Sequence, residues 1–309
     1  MVRGAVPMAR GQAEGRADRQ LPSGDEIFLD HIAHFVPDRD AAQAALARAG
    51  FAPAPISIQV NPDPTGGPPR PTGTGNVTAM FARGYVEILF KTADTPIARE
   101  LDAALARHPG LHLAAFAVAD AAAAHRRLGE TGFRTQPLVE MQRPVETVAG
   151  PDVAAFTIAR LVPGQMPEGR IQMLTHRTEH TVWQPRWLEH PNGARGLVAL
   201  TIAVADVDDS AARFARFTGR DAVACEGGRM VALDRGRVEL VTADTFSARF
   251  PEVAIPNLPF MGACTIAVAS IAAAETALRR GSVAHRRAGD QVIACFPDAL
   301  GTGVWAFAP

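Results

Sequence analysis

The chain has 309 residues, of which 47% are hydrophobic and 20% are charged. At roughly 150 residues per domain, this length suggests two domains or one large one, and either can bury a core without disulfide bonds or a structural metal. The formal charge of -1, from 31 basic and 32 acidic residues, leaves no positive excess, which argues against nucleic acid as the main partner.

The N-terminal segment and the cysteines bear on the cellular setting. Residues 1–24 contain four arginines and lack the apolar segment of a signal peptide, so we expect a disordered tail, with Met8 as an alternative start. No run approaches the ~18 apolar residues of a membrane span, so we expect no membrane partner. Three cysteines without a Cys-x-x-Cys spacing argue against a disulfide framework or a cysteine zinc site, and they favour reduced thiols in the cytoplasm.

An internal repeat organises the rest of the chain. In each copy an apolar strand ends in Val, a small residue or Pro follows, and Asp or Ser then precedes an alanine-rich helix. The four copies of this pattern are 31–38, 113–120, 199–206 and 263–270. Asp and Ser are typical N-cap residues, since their side chains accept a hydrogen bond from a free helical N–H. We therefore expect helices at about 40–49, 120–129, 208–217 and 271–280.

Strand-like runs follow each of these helices, and the last strand of each unit is the clearest. These last strands are predicted at 85–90, 170–174, 237–241 and 304–307. The Pro/Gly-rich run 61–75 is predicted to be a loop inside the first unit, because such a run suits neither a helix nor a central strand. Each unit is therefore β-α-β-β-β, and the predicted fold class is α+β with four such modules.

The repeat also predicts the domain organisation. Modules one and two form one domain over residues 25–175, and modules three and four form a second over 196–309. The non-repeating segment 176–195 connects the two domains, and it is rich in Trp and His.

Three stretches resemble a known family. They are Leu29–His31 in the first strand, Tyr85–Leu89 at the end of module one, and the connection Trp183–Gly193 with its His-Pro-Asn-Gly ending. The pattern resembles the vicinal oxygen chelate superfamily, and within it the glyoxalase-like domain proteins. This resemblance covers residues 27–309 and implies that the four modules pair into two glyoxalase-like half-barrels. The superfamily hosts several unrelated reactions, so the fold alone does not fix the activity.

The resemblance also implies a site for a divalent metal ion. In the superfamily, ligands come from the first residue of the first strand and the middle of the last strand of each module. Modules one and two place His31, Glu87, Leu113 and Gln172 at these positions. His31, Glu87 and Gln172 would be the metal ligands, with Glu87 and Gln172 as catalytic candidates, because three donors plus water suffice for a catalytic site. Leu113 would line the substrate pocket, and neighbouring His112 faces away unless the strand slips by one residue.

The equivalent positions of modules three and four are Ala199, Glu239, Ala263 and Trp305. One carboxylate among two alanines and a tryptophan cannot hold a divalent ion. We therefore expect an apolar interior in the second half and a structural, solvated or arginine-paired role for Glu239.

Other histidines and the two tryptophans of the connection are open to two interpretations. His34 is expected to be structural, and His176 and His180 could bind a metal only if they lay on one helix. Trp183 and Trp187 are predicted to cover the cavity mouth, either as packing anchors or as stacking residues of the substrate pocket.

Three functions fit these observations. The first is a metal-dependent lyase or isomerase acting on a small oxygenated substrate, with a ring-cleaving dioxygenase ranked below it because only one histidine is securely placed. The second is a metal-free protein that binds a small molecule, and the third is a structural homodimer with a degenerate pocket. Whether the chain is an enzyme therefore stays open at this point.

Overall fold

The computed structural model describes residues 20–63 and 65–309. Most of the predicted disordered tail, residues 1–19, lies outside the described residues.

The described residues contain sixteen strands and seven α-helices. The first eight strands are β1 (Ile27–Phe35), β2 (Ser57–Asn61), β3 (Arg70–Met80), β4 (Tyr85–Lys91), β5 (Gly110–Val118), β6 (Val139–Thr147), β7 (Gly150–Arg160) and β8 (Arg170–His176). The other eight are β9 (Ala194–Val204), β10 (Ala222–Cys225), β11 (Gly228–Ala232), β12 (Arg237–Thr242), β13 (Phe260–Val268), β14 (His285–Ala288), β15 (Gln291–Cys295) and β16 (Val304–Ala308). The helices are α1 (Arg39–Arg48), α2 (Pro96–Leu105), α3 (Ala121–Glu130), α4 (Glu179–Val182), α5 (Val207–Thr218), α6 (Ala243–Arg249) and α7 (Ile271–Arg280).

The four helices predicted from the repeat are present as α1, α3, α5 and α7. Each begins where an Asp or Ser side chain accepts hydrogen bonds from the first free N–H groups, and these caps are Asp38, Asp120, Asp206 and Ser270. The repeated cap therefore sets where each helix starts. Helices α2 and α6 follow the last strand of modules one and three and were not predicted.

The strands of modules one and two close into a barrel in the order β1-β4-β3-β2-β6-β7-β8-β5. Within each module the first and last strands are parallel, and β1 and β5 join the two modules as an antiparallel pair. A single bridge between Val60 of β2 and Gln142 of β6 closes the barrel. Modules three and four form an eight-stranded sheet in the same arrangement, with β10 and β14 at its edges. The prediction of four paired β-α-β-β-β modules is confirmed.

The prediction of a loop over residues 61–75 is wrong in its second half, because β3 begins at Arg70. The side chains of Thr72 and Thr74 both bond to Gln59 of β2 and hold this run against its neighbour. Gly73, at φ 83°, and Pro71 are therefore accommodated within a strand that tertiary contacts keep extended.

Apolar side chains form three clusters: one between the two halves, one inside the barrel and one on the inner face of the second sheet. The prediction that Trp305 faces the second interior is wrong. Trp305 is fully buried between the halves, near Phe51 and Phe296, while its neighbours Val304 and Ala306 face the second interior. The strand pairing explains the error, because Ala306 occupies the place that corresponds to Gln172, and side chains alternate between faces.

The helices of the described residues are short. The longest, Val207–Thr218, has 12 residues, and none is long and apolar enough to cross a bilayer.

Candidate metal and substrate site in the first barrel

A small polar cavity of about 30 Å³ lies inside the barrel of modules one and two. The four positions singled out by the resemblance all line it, and these are His31, Glu87, Leu113 and Gln172. They come from β1, β4, β5 and β8, where alternate side chains point inward while the others pack on the outer core. The cavity is wide enough for a water molecule or a small ion.

A β-bulge in β1 turns two consecutive side chains towards the interior. The pairing of β1 with β5 shifts between Leu29 and His31, which leaves Asp30 as the extra residue. Nδ1 of His31 consequently lies 2.7 Å from Oδ2 of Asp30, and the imidazole stacks on the ring of Tyr85 at 4.4 Å between centroids. These two contacts fix the imidazole, and Nε2 is left facing the cavity.

Glu87 and His31 line the cavity from the neighbouring strands β4 and β1, on the same interior face, as the strand pattern predicts. Oε2 of Glu87 lies 3.7 Å from Nε2 of His31, which is too long for a hydrogen bond. Its other oxygen, Oε1, accepts a hydrogen bond of 2.5 Å from the side-chain amide of Asn76 on β3. Both side chains are almost completely buried, so the pair is held apart in a place that water scarcely reaches.

Two buried amide oxygens near this pair receive no hydrogen bond from any residue in 20–63 or 65–309. They are Oε1 of Gln172 and Oδ1 of Asn76, and both residues line the cavity. A buried carbonyl oxygen without a partner is costly, so these atoms indicate that something polar completes the site.

Asp30 also bonds a second histidine, a residue that the sequence did not connect with the site. Its Oδ1 lies 2.9 Å from Nε2 of His176, at the end of β8. Burial raises the pKa of Asp30, but attraction to His176 and hydrogen bonds from His176 and His31 outweigh this and hold that pKa well below its ordinary value. His180, by contrast, is exposed and lies 3.7 Å from Asp152, so it does not converge with His176.

Three arginines surround the cavity and were missed in the sequence. Each arginine lies in a row of inward-facing side chains that is otherwise largely apolar: Arg143 within β6, Arg160 at the end of β7 and Arg170 at the start of β8. Burial lowers the pKa of Arg143, and it lowers the pKa of Arg160 to about 10. Arg170 pairs with Glu100 at 2.6 Å. The alternation Val-x-Met-x-Arg-x-Val over 139–145 was the signal that could have revealed Arg143.

Two larger pockets lie beside the cavity. One, of about 410 Å³, lies between α2 and the β7–β8 loop and shares Arg160 and Arg170 with the cavity. The other, of about 230 Å³, is bounded by the connection and shares Arg143 with the cavity. Both are within or near the size range of small-molecule sites.

The structure separates the two tryptophans predicted for the substrate pocket. Trp187 lines the 230 Å³ pocket. Trp183 lines none of these three cavities, and its indole is buried beside His176 and donates a hydrogen bond of 3.1 Å to the carbonyl of Phe81. The geometry of Trp183 is that of a packing anchor. His112, which also bears on the predicted ligand set, points away from the cavity and bonds the carbonyl of His108 at 2.6 Å.

The donor set fits a divalent ion only in part. Nε2 of His31 and Oε2 of Glu87 are spaced as two ligands of one ion would be, since metal–ligand bonds are ~2.0–2.2 Å long. The unbonded Oε1 of Gln172 supplies a third donor in the same cavity. Within residues 20–63 and 65–309, no group of three or more His, Cys, Asp or Glu side chains is arranged to hold a metal. The third ligand would therefore be a neutral amide.

Among its described residues, the second half has no set of inward-facing donor side chains comparable to His31, Glu87 and Gln172. Glu239, at the place that corresponds to Glu87, is bonded to Arg237 at 2.7 Å and to Arg249 at 3.0 Å. Phe246 of α6 fills the inner face of the sheet beside Ala263. The two halves therefore share their strand order, but the carboxylate at this place in the second half is already paired with arginines.

Comparison with known proteins identifies the family. The sequence profile of the glyoxalase-like domain matches residues 29–218, which is more than half of the chain. The chain belongs to the glyoxalase-like domain family. The predicted membership of the vicinal oxygen chelate superfamily is thereby confirmed. No protein of the curated set matches the sequence significantly.

Solved structures show the same fold at low sequence identity. A hypothetical protein from Staphylococcus aureus superimposes with a TM-score of 0.65 at 10% identity, over 92% of this chain and 99% of its own. A triple mutant of 4-hydroxymandelate synthase from Streptomyces coelicolor gives 0.56 at 15% identity, over 91% and 92%. A fusion of a xylose isomerase-like TIM barrel with a 4-hydroxyphenylpyruvate dioxygenase gives 0.51 at 13% identity, over 94% of this chain and 50% of the fusion. At such identities these likenesses establish the glyoxalase-like fold alone.

Proposed function

We propose that this glyoxalase-like protein is a metal-dependent lyase or isomerase that acts on a small oxygenated substrate inside the first barrel. The observation that carries the proposal is the facing pair His31 and Glu87. Their Nε2 and Oε2 atoms lie 3.7 Å apart on one wall of a buried cavity, and neither atom has a hydrogen-bond partner among the described residues. A buried imidazole and a buried carboxylate held apart in this way need a polar partner to offset the cost of their burial.

His31, Glu87 and Gln172 are the residues that would hold a divalent ion. When bound, such an ion supplies Lewis-acid polarisation of substrate oxygens. The supporting residues keep these donors in place. Asp30 fixes the orientation of the His31 imidazole, and Asn76 fixes one oxygen of Glu87, so that the second oxygen is directed into the cavity.

The phenol of Tyr85 lies beside this pair and can act as a hydrogen-bond donor. Burial, together with the negative charges of Asp30 and Glu87, raises the pKa of Tyr85 well above its ordinary value. The phenol therefore keeps its proton at neutral pH and can donate a hydrogen bond to a substrate oxygen that gains negative charge. Apolar walls formed by Leu89, Leu113 and Phe156 keep bulk water out of this space.

The histidine count supports lyase or isomerase chemistry over ring-cleaving oxygenation. Non-haem iron oxygenases typically use two histidines and one carboxylate on one face. Here His31 is the one imidazole that lines the cavity within the described residues, since His176 is bonded to Asp30 and His112 points away.

A second candidate, a metal-free protein that binds a small molecule, is favoured by Leu113. This side chain takes the place of a fourth ligand and removes one donor from the set. For either function we propose a small-molecule ligand, a cytoplasmic location in keeping with the three free thiols, and a homodimer.

A thermal-unfolding experiment separates the two candidates. A ligand that binds only the folded state raises its stability by mass action. The metal-dependent function predicts that Mn²⁺ or Zn²⁺ raises the midpoint temperature of tag-free protein, that EDTA reverses the increase, and that His31→Gln abolishes it. The metal-free function predicts no increase with either ion.

A further inference from the structure

Arg143 is a buried cation between the polar cavity and the 230 Å³ pocket. It replaces an apolar residue in the inward-facing row of β6, whose other members are Val139, Met141 and Val145. Its exposed fraction is 6%, and among the described residues it is the one arginine that lines both spaces. The guanidinium therefore faces a region where a bound molecule would pass from the pocket towards the His31–Glu87 pair.

No described residue forms a hydrogen bond or an ion pair with the Arg143 side chain. The groups whose charge acts on it are Tyr85, which is protonated, and Glu87, which is already bonded to Asn76. An arginine stays charged even when burial lowers its pKa, because that pKa starts far above neutrality. Arg143 is buried, yet its N–H groups are not used by any described residue, so they can donate to an anionic ligand in the adjoining pocket.

The walls of the pocket indicate what kind of molecule carries that anion. Ile56, Met80, Val145 and Trp187 make most of the pocket apolar, and the acidic residue Glu146 is exposed. The volume of about 230 Å³ suits a ring or short hydrocarbon chain rather than a polymer. Arg143 is the one arginine among the described residues that lines the 230 Å³ pocket, and Arg160 and Arg170 lie on the cavity side. One guanidinium balances one negative charge better than the ~1.5–2 charges of a phosphate ester.

We propose that the first barrel binds an organic monocarboxylate with an apolar body. The carboxylate accepts a bidentate pair of hydrogen bonds from Arg143, and the apolar body lies in the 230 Å³ pocket against Trp187 and Met80. This inference names the substrate class of the proposed enzyme and rests on that function in placing the substrate beside His31 and Glu87. The geometry of an arginine fork matches a carboxylate, and the interaction strengthens where water is excluded.

The test uses phenylacetate as the probe, on full-length protein treated with EDTA. Ligand-observed NMR titration measures its affinity, with neutral phenylacetamide and phenyl phosphate as matched compounds. We expect phenylacetate to bind and phenylacetamide to bind at least about tenfold more weakly, which is the loss of one charged hydrogen-bonded pair. Arg143→Met should weaken phenylacetate to the level of the amide, and Arg143→Lys should give an intermediate affinity because the fork is lost.

Two controls make the result decisive. Arg134→Met removes an exposed arginine outside these cavities and should leave phenylacetate binding unchanged. The midpoint temperature of Arg143→Met should equal or exceed that of wild type, since no bond within the described residues is lost. A fall in that temperature, or failure to fold, would assign Arg143 a structural role and overturn the inference.

Other outcomes also decide the question. Equal affinity for phenylacetate and its amide, or for phenyl phosphate and phenylacetate, would contradict a carboxylate-specific site. Because the titration is run without metal, a negative result here leaves the metal test untouched, and a positive result stands even if no metal binds.

Discussion

Oδ2 of Asp30 lies 2.7 Å from Nδ1 of His31, the next residue along the same strand. Consecutive side chains of a regular strand point to opposite faces, so this contact exists only because a bulge in β1 turns both inward. One nitrogen of the imidazole is thereby occupied and the other is directed at Glu87. A carboxylate that orients a histidine in this manner is typical of metal-binding sites.

Replacing Asp30 should destabilise the protein strongly. Asp30→Asn removes the charge that both His31 and His176 face, in a fully buried place. Loss of one partner of a buried pair costs roughly 3–5 kcal/mol, and urea unfolding at pH 7 measures it. Asp152→Asn, which alters an exposed Asp–His pair, should cost less than about 1 kcal/mol. If both variants lost a similar amount of unfolding free energy, the buried Asp30 contacts would stabilise the protein no more than an exposed ion pair does.

Acid should destabilise the fold through His34, which joins the two halves. His34 is fully buried and bonds the carbonyl of Leu300 at 2.9 Å. Burial, only partly opposed by this hydrogen bond, lowers the pKa of His34 from 6.5 to about 4. Between these two values the unfolded chain binds a proton that the folded chain does not, so stability falls as the pH drops from 6.5 to 4. The expected loss is roughly 3 kcal/mol.

The pH effect can be measured by urea unfolding at pH 7 and at pH 4.5. His34→Gln keeps an amide donor for Leu300 but cannot titrate, so its unfolding free energy should change less between the two pH values than that of wild type. His180→Gln, at an exposed histidine, should behave like wild type. His112, whose pKa burial also lowers to about 4, contributes the same sign of change in all three proteins.

Adding a donor at position 113 should strengthen metal binding. Leu113 lines the cavity with His31, Glu87 and Gln172 and has no ligand atom. Leu113→His would supply a second imidazole to the set, and we expect the affinity for Zn²⁺ to rise at least about tenfold in a calorimetric titration. Leu113→Phe, which fills the same place without a donor, should give no increase. An unchanged affinity in Leu113→His would argue that the ion does not bind in this cavity.

Local signals allowed much of the fold to be predicted. Caps such as Asp38 depend on the residues just beside them, and the period-2 alternation of a strand determines that Glu87 and Gln172 share an interior. The facing of His31 and Glu87 follows from the same pattern.

Features that depend on distant contacts could not be predicted in this way. The inward turn of Asp30 needs a bulge, which appears only when β1 pairs with β5, residues that are far apart in sequence. The barrel closes through the bridge between Val60 and Gln142. Arg143 is enclosed only once the barrel has closed, so its burial cannot be read from the local sequence. Trp305 was misplaced because a one-residue error in register moves a side chain to the opposite face.

The metal content of purified protein tests the central claim most directly. Tag-free wild type, Glu87→Gln and Glu239→Gln are dialysed against the same Mn²⁺ and Zn²⁺ solution, washed, and measured by elemental mass spectrometry, with circular dichroism to confirm folding. Glu239 is the matched control, because it holds the corresponding place in the second half and is paired with arginines. The account predicts about one ion per chain in wild type and Glu239→Gln, as in a single three-ligand site, and almost none in Glu87→Gln. Equal metal content in wild type and Glu87→Gln, or a wild type that retains no ion, would contradict it.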